Sequence, residues 1–259
     1  MSRITHFLSR LKKLSRLLRS PRYVQALSHG VGAAVEHEPM LRALACRTIV
    51  DVGANRGQFA LAARQSLPDA SIIAFEPLEE PARRFRRIFS SDPKVALHQT
   101  AIGSEPGEAT IYLSKEDDSS SLLPLTSLQD TLFPGTAACG VRTVPVRRLE
   151  AVLSADAIEH PSLLKIDVQG YELSVIEGCG EMIASFDHIC AEASFVELYA
   201  GQPIAHEIIS RLERKGFRLR GILNPTVGKG SRVIQADFLF DRADGPKAFI
   251  GSTKGVRQQ

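Results

Sequence analysis

The chain has 259 residues, of which 44% are hydrophobic and 24% are charged, values usual for a globular protein of one or two domains. This composition excludes a disordered, collagen-like or fibrous protein, and no apolar run approaches the roughly 20 residues that a transmembrane helix needs. The formal net charge is +3, but residues 1–23 contain seven basic residues and no acid, so the rest of the chain has no overall charge that would attract nucleic acid.

The N-terminal segment, residues 1–45, is predicted to be helical, with a basic amphipathic helix over residues 2–19 and a second helical stretch at about 22–45. The apolar residues that recur at helical spacing in the first helix are Ile4, Phe7, Leu8, Leu11, Leu14, Leu17 and Leu18. Three roles remain open for this helix. It can pack on the body or on another subunit, lie on an anionic membrane surface as a peripheral anchor, or serve as a targeting segment.

Residues 46–242 are predicted to form one α/β domain built on a Rossmann-like, doubly wound sheet. Short buried runs predict strands at 48–52, 71–76 and 95–98, with helices between them at 57–66 and 77–89. This alternation of strands and helices implies parallel strands joined by right-handed crossovers.

A different pattern occupies the middle of the chain before the alternation returns. Two short extended segments flank residues 115–140, which are rich in Ser, Thr, Gly and Pro and are predicted to form a lid or substrate loop. Further strands are predicted at 163–168, 188–193, 217–223 and 233–240. The result is a seven-stranded, mostly parallel sheet with an antiparallel last strand, followed by a loosely held tail at 243–259.

A glycine-rich turn follows the first predicted strand, in the run Asp51-Val52-Gly53-Ala54-Asn55-Arg56-Gly57. Ligands of doubly wound sheets bind at the carboxyl ends of the strands, where glycines let the backbone approach them closely. Glu76 ends the second strand, and an acid at that place can accept both hydroxyls of a ribose. The spacing G-x-x-x-G differs from the dinucleotide fingerprint, and there is no P-loop. The pattern therefore indicates a nucleoside-containing cofactor and argues against NAD.

Several motifs in this order resemble the FkbM family of class I S-adenosylmethionine-dependent methyltransferases: VDVGANRGQFA, IIAFEP, TAIG, DDSSSL and LLKIDVQGYELSVIEG. The resemblance covers about residues 46–241. The family is chiefly associated with O-methylation, often of sugar hydroxyls in natural products, glycolipids and polysaccharides. The resemblance therefore implies S-adenosylmethionine as the cofactor.

The resemblance also implies roles for the matching positions. The methionine end of the cofactor would be held by Asp51, Gly53, Asn55 and Gly57. The ribose would be bound by Glu76, and the adenine would lie against Pro77, Leu78, Ala101 and Ile102. Asp167 would face the cofactor amine or the substrate. The chain departs from the family at Gln169, where Glu is usual, and this departure would impair the enzyme if that Glu were the base.

Three carboxylates are the candidate catalytic residues, because a weakly acidic sugar hydroxyl needs a general base or a metal ion. Asp167 and Glu192 end neighbouring strands and are expected to point to the same edge of the sheet. Glu172 begins a helix, where a purely structural first-turn acid is an equal alternative. Together the three could bind a divalent cation, although their spacing does not demand one and the metal stays unknown.

The leading hypothesis is an O-methyltransferase whose acceptor is a small molecule or a glycolipid, with no nucleic-acid partner. The open alternatives are a non-catalytic domain that keeps the cofactor fold and, against the glycine spacing, an NAD-dependent oxidoreductase. Four scattered cysteines without a C-x-x-C pair predict reduced thiols and a cytoplasmic protein, with the inner face of a membrane as a further location suggested by residues 2–19. The oligomeric state is not determined by the sequence.

Overall fold

The computed structural model describes residues 14–244. The predicted basic helix at 2–19 and the predicted tail at 243–259 therefore lie largely outside the described residues, although residues 14–17 are helical. Leu17 is buried against the body, whereas the side chains of Leu14 and Leu18 are 45% and 59% exposed. This helical turn thus packs on the domain through Leu17 and presents its neighbours to solvent.

One large sheet organises the described part of the chain. Its strands are β1 (Thr48–Val52), β2 (Ser71–Phe75), β3 (Val95–His98), β7 (Ser162–Ile166), β8 (His188–Ser194), β9 (Phe217–Val227) and β10 (Val233–Arg242). Their order across the sheet is β3-β2-β1-β7-β8-β10-β9. The first five in this order are parallel, and β10 is antiparallel to both of its neighbours. The predicted seven-stranded, mostly parallel sheet is confirmed.

The middle region forms a second sheet that the sequence did not predict. Its strands are β4 (Ala101–Ile102), β5 (Gly107–Ser114) and β6 (Ala138–Arg147), in the order β4-β6-β5. The two predicted extended segments are the central parts of β5 and β6, which pair over eight register positions. The predicted loop 115–140 is correspondingly shorter, because β6 already begins at Ala138. Pairing between distant strands, rather than local apolar alternation, decides these strand lengths.

Helices cover both faces of the large sheet. They are α1 (Pro21–Ser28), α2 (Glu38–Leu44), α3 (Gln58–Ser66), α4 (Glu79–Phe89), α6 (Glu172–Gly178) and α7 (Ala205–Arg214), whereas α5 (Ser127–Leu132) lies in the segment between β5 and β6. One apolar core packs the four helices α1, α2, α3 and α4 against one face of the sheet. A second core packs α6 and α7 against the other face. None of the helices between residues 14 and 244 combines the length and apolar character that a bilayer crossing requires.

The predicted helical stretch at 22–45 is two helices rather than one. Gly30 has a φ of 75°, a conformation that ends α1 and that glycine adopts without strain. An irregular segment and a short 3₁₀ turn at Val35–His37 then lead into α2. The break matters for the site, because it carries Gly32, Ala34 and His37 to the edge of the cavity described next.

Candidate functional site

A cavity of about 730 Å³ lies at the carboxyl ends of β1, β2 and β7. This volume is in the usual range for a small-molecule site, about 300–1,000 Å³. The segment between β5 and β6 covers one side and is held there by several hydrogen bonds. Among them, Ser121 Oγ donates to the carbonyl of Gln169 at 2.6 Å, and Thr126 Oγ1 donates to the carbonyl of Leu198 at 2.7 Å. The predicted lid thus lies over the cavity, and its role in binding substrate stays a prediction.

The glycine turn after β1 is shaped by a close approach of two backbone segments. Gly53 has a φ of 84°, and a Cβ added there would lie 1.9 Å from the carbonyl oxygen of Asp167, which follows β7. Gly53 lines the cavity, whereas Gly57 does not. A Cβ at Gly57 would instead meet the rings of Phe85 and Phe89 at 2.9 Å, so this glycine permits α3 to pack on α4. Its predicted contact with the cofactor stays untested.

We expect Gly53→Ala to destabilise the protein by at least about 2 kcal/mol more than a matched glycine substitution, because the backbone must move to relieve the collision. Gly216→Ala is the control, since Gly216 has a φ of 88° and nothing within 4 Å of an added Cβ. It should cost about 1 kcal/mol, the usual strain of a left-handed alanine. Urea unfolding of both variants measures the difference, and equal losses would contradict the importance of the collision.

Glu76 is buried at the end of β2 and is oriented by two backbone amides. Its Oε2 accepts a hydrogen bond from Asn55 N at 3.0 Å, and its Oε1 accepts one from Leu78 N at 2.8 Å. The carboxylate thereby links the glycine turn to the segment that opens α4. The predicted adenine residues Pro77, Leu78, Ala101 and Ile102 all line the cavity with it.

Asp51 lies beneath the cavity rather than in its wall. Its carboxylate is fully buried, with Oδ1 3.6 Å from Lys165 Nζ and with no hydrogen-bond partner within residues 14–244. Burial raises the pKa of Asp51 to about 6, against the opposing effect of Lys165. Lys165 also pairs with Asp167 at 2.9 Å, and the two carboxylates outweigh burial and raise its pKa. A direct contact between Asp51 and a cofactor stays a prediction.

Gln169 connects the two predicted catalytic carboxylates that line the cavity. Its Nε2 donates to Asp167 Oδ1 at 2.8 Å and to Glu192 Oε2 at 3.0 Å. Tyr199 Oη donates to Gln169 Oε1 at 2.8 Å, which fixes the orientation of the amide. A glutamate at position 169 would place a third carboxylate between Asp167 and Glu192, where like charges repel. The glutamine found here avoids that repulsion and donates a hydrogen bond to each of the two carboxylates.

Glu192 has the electrostatic properties of a proton acceptor with a raised pKa. Burial and then the nearby Asp167 raise the pKa of Glu192 well above its usual range. Its Oε1 accepts a hydrogen bond from Gln235 Nε2 at 2.8 Å, so two amides hold the carboxylate in place. At Asp167 the direction is opposite, because Lys165 lowers the pKa despite burial. A pair of carboxylates with pKa values pushed apart is common at sites of acid–base chemistry.

Glu172, the third predicted catalytic residue, is 1% exposed and does not line the cavity. Its Oε1 accepts hydrogen bonds from Val168 N at 3.2 Å and Gly170 N at 3.0 Å, which holds the turn between β7 and α6. Burial raises its pKa to about 7. These contacts indicate a structural role, and a catalytic role has no support from the geometry.

The stability of the protein should depend on pH, because Glu172 binds a proton more tightly in the folded protein than in the unfolded chain. The pKa of this carboxyl is 4.5 in the unfolded chain, and burial raises it to about 7 in the folded protein. Its contribution to the free energy of unfolding is therefore complete below pH 4.5 and is lost as the pH rises to about 7. We expect this loss to reach about 3 kcal/mol and to be absent in Glu172→Gln. Urea unfolding across this pH range measures it, with the exposed Glu181→Gln as control. Parallel curves for the wild type and Glu172→Gln would show the prediction to be wrong.

The three candidate carboxylates do not converge on a common point. The amide of Gln169 separates Asp167 from Glu192, and Glu172 is held by backbone amides. Within residues 14–244, no group of three or more His, Cys, Asp and Glu side chains is arranged to hold a metal ion. The divalent cation considered from the sequence therefore has no ligand set here.

A polar group in the cavity wall was missed by the sequence analysis. Asn224 Nδ2 donates to Asp237 Oδ2 at 2.8 Å, and His37 Nε2 lies 3.8 Å from the same oxygen. Burial lowers the pKa of His37 and raises that of Asp237. Asp237 and Lys165 are charged residues flanked by apolar neighbours in predicted strands, and this signal could have identified them. His37 follows an irregular segment and carried no such signal.

The residues of the cavity fit S-adenosylmethionine chemically. A buried carboxylate at the end of β2 suits ribose hydroxyls, apolar side chains beside it suit adenine, and Asp167 suits an ammonium group. Acids outnumber cations in the cavity wall, which also suits the positive sulfonium. Fold and site together define a Rossmann-like, S-adenosylmethionine-dependent methyltransferase domain.

The chain belongs to the FkbM methyltransferase family, since the methyltransferase FkbM domain matches residues 51–219. Among relatives, Methyltransferase 1 of Beauveria bassiana is 28% identical over 145 residues, which are 50% of this chain and 57% of that protein. Methyltransferase sdnD of Sordaria araneosa is 28% identical over 196 residues, which are 65% of this chain and 73% of that protein. The chain thus spans little more than half of the first relative.

A search of solved structures finds more distant similarities. The O-methyltransferase NcsB1 from neocarzinostatin biosynthesis, solved with S-adenosylmethionine, is 12% identical with a TM-score of 0.42. The match covers 81% of this chain and 52% of that one. This similarity says nothing about the acceptor of the present protein.

Proposed function

We propose that the protein transfers a methyl group from S-adenosylmethionine to a hydroxyl oxygen of a sugar-type acceptor, in a glycolipid, polysaccharide or natural product. The observation that carries this proposal is the carboxylate of Glu192, which lies in the cavity wall between two amide donors and has a raised pKa. When bound, the cofactor supplies an electrophilic methyl group. What the chain must then supply is alignment of the hydroxyl and removal of its proton.

The polar part of the cavity supports an acceptor with several hydroxyl groups. Gln129 on α5 is 3% exposed, and its Oε1 has no hydrogen-bond partner within residues 14–244. Gln58 Oε1, at the start of α3, is likewise buried without a partner in the described part of the chain. Both residues line the cavity, together with Glu192 and Asp237. A buried acceptor without a partner is costly, and hydroxyl groups of a ligand would satisfy these oxygens.

In the proposed reaction, Glu192 would accept the proton of the acceptor hydroxyl. The cofactor would supply the methyl group to that oxygen, with its methyl–sulfur bond breaking and its sulfonium becoming a thioether. Gln169 and Gln235 hold the carboxylate, and Tyr199 holds Gln169. Asp167 stays ionised beside Lys165, which suits a contact with the cofactor amine. A carboxyl with a raised pKa is better matched to a weakly acidic hydroxyl than an ordinary carboxylate is.

A methyl-transfer assay tests the proposal. Purified protein and S-adenosylmethionine carrying a labelled methyl group are incubated with neutral sugars, amino sugars, glycolipids and phenolic acceptors. The proposal predicts label on a sugar oxygen, located by mass spectrometry and NMR. Label on phenols alone would contradict the sugar acceptor. Tight cofactor binding without turnover on any acceptor would support the non-catalytic alternative.

We also propose that residues 2–19 associate peripherally with an anionic membrane, where a lipid-linked acceptor would be presented. The support is the sequence of this segment, with its cations and its regularly spaced leucines. Removing residues 1–20 tests the idea. Unchanged partitioning onto vesicles, together with unchanged activity on a lipid-linked acceptor, would contradict it.

A further inference from the structure

A groove between α1 and α4 collects basic side chains on the surface of the described structure. Two adjoining surface cavities, of about 850 Å³ and 180 Å³, share His29 and Arg87 in their linings. The basic residues that line them, here called the arginine groove, are Arg22, His29, Arg83, Arg84, Arg86 and Arg87. The groove therefore lies on the folded body, and it is separate from the basic residues at 1–13.

Acidic side chains compensate little of this charge. Glu80 is shared between two arginines, Arg83 and Arg84. Asp92, the other acid in the lining, pairs with Arg64, whose Nε lies 2.7 Å from Asp92 Oδ2. One carboxylate therefore serves the arginines of the groove.

The remaining arginines of the groove bond to neutral groups. Arg86 Nη2 donates to Gln99 Oε1 at 2.9 Å, and Arg22 Nη1 donates to the carbonyl of Arg64 at 3.1 Å. Arg87 has no ion pair within the part of the chain that the structure describes. The groove is thus a concentrated positive surface on a domain whose sequence beyond residue 23 contains more acids than bases.

Helix stability accounts for only part of this arrangement. Arg86 and Arg87 in the last turn of α4 interact favourably with the helix dipole. Arg83 and Arg87, however, are four residues apart on the same helix, where like charges destabilise it. Arg22 and His29 come from α1 and its end, so the dipole of α4 cannot explain them. An anion bound in the groove would relieve the repulsion.

Exposed apolar side chains on α1 and on the chain that precedes it favour a membrane as the source of that anion. The chain that leads into and through α1 exposes Leu14, Leu18 and Val24 at 45%, 59% and 43%. Arg16 and Arg19 alternate with these residues in the sequence. Cations that meet lipid phosphates beside apolar side chains that enter the acyl boundary are the features of a peripheral membrane surface. A free phosphate ion would need only the cations.

The arginine groove and the cofactor cavity have no lining residue in common, but their linings come close along the chain at two places. Ser28 and His29 line the groove, and Gly32, three residues further on, lines the cavity. At the other side, Glu80 lines the groove and Leu78 lines the cavity. A headgroup held in the groove would therefore lie near the cavity edge.

We propose that the arginine groove docks the protein on an anionic membrane by binding the phosphate groups of lipid headgroups, while Leu14, Leu18 and Val24 enter the interface. The docking itself is independent of the reaction. Its use in presenting a lipid-linked sugar to the cavity rests on the proposed function.

Vesicle sedimentation of the full-length protein tests the docking. Vesicles of phosphatidylcholine with about 30 mol% phosphatidylglycerol are compared with pure phosphatidylcholine. The groove variant is Arg83→Gln/Arg87→Gln, and the matched control is Arg142→Gln/Arg218→Gln, two exposed arginines outside the groove. We expect the groove variant to lose binding to anionic vesicles at least tenfold, since each arginine near the surface contributes about fivefold, and the control to bind like the wild type.

Further measurements separate the other outcomes. Thermal unfolding and S-adenosylmethionine binding should be unchanged in both variants, and Arg22→Gln/Arg86→Gln, which draws on both helices, repeats the test if the first variant unfolds. Equal binding by groove and control variants would overturn the proposal, as would equal binding to neutral and anionic vesicles. Groove-dependent binding of inorganic pyrophosphate without any binding to vesicles would overturn the membrane assignment. Vesicle binding without methyl transfer would leave the docking supported and contradict the proposed function.

Discussion

Glu192→Gln should lower kcat for methyl transfer by about 10²–10⁴-fold, the usual contribution of a positioned general base. The substitution removes the carboxylate but keeps the size of the side chain between Gln169 and Gln235. In the wild type, activity should rise with pH as Glu192 loses its proton, and burial together with Asp167 moves this rise to higher pH. Initial rates across pH, measured with the sugar acceptor found in the assay above, test the prediction.

The control for this prediction is Glu181→Gln, which makes the same chemical change at an exposed position outside the cavity. Cofactor affinity should stay within about threefold of the wild type in both variants, which would show that Glu192 acts on the acceptor rather than on the cofactor. If Glu192→Gln keeps the rate and its rise with pH, Glu192 is not the base. Asp167 would then be the next candidate, although its lowered pKa makes it a weaker base.

Glu76→Ala should weaken S-adenosylmethionine binding at least tenfold, which corresponds to about 1.4 kcal/mol. The carboxylate is buried at the end of β2 and is the acceptor for the backbone amides of Asn55 and Leu78. Removing it takes away both the predicted ribose contact and the link between the two cofactor-binding segments. Calorimetric titration with S-adenosylmethionine and, separately, with NAD measures the effect.

A second substitution separates the two contributions of Glu76. Glu76→Gln keeps an acceptor for one backbone amide but has one oxygen fewer, so its affinity should fall between those of the wild type and Glu76→Ala. Glu79→Ala, three residues further on in the first turn of α4, is the control and should bind like the wild type. Unchanged affinity in Glu76→Ala would remove the ribose assignment, and binding of NAD alone would contradict the cofactor.

The positions of the main strands along the chain could be predicted from the sequence, because each is a short apolar run bounded by glycine, proline or a polar residue. β1, for example, is buried at all five positions. The glycine turn follows β1 directly, and Glu76 follows β2 directly. These features are local, so periodicity and spacing reveal them. The family could be recognised for the same reason, since its motifs are contiguous.

Tertiary structure alone decided which of the acids predicted for the site reach the cavity. Asp51 and Glu172 are close in sequence to residues that line it, yet one is buried beside Lys165 and the other is held by backbone amides. The bridge from Asp167 through Gln169 to Glu192 depends on the register of β7 with β8. Spacing along the chain does not give the direction of a side chain after the strand has ended.

The sequence by itself determined the fold class, the cofactor class and the candidate carboxylates, because strand runs, glycine turns and strand-end acids are set by neighbouring residues. Only the tertiary structure decided the second sheet, the contact of His37 with Asp237, and the meeting of Arg22 with Arg87 in one groove. Each of these joins residues far apart in the chain. Their proximity depends on how the helices and the two sheets pack, and no local pattern encodes that packing.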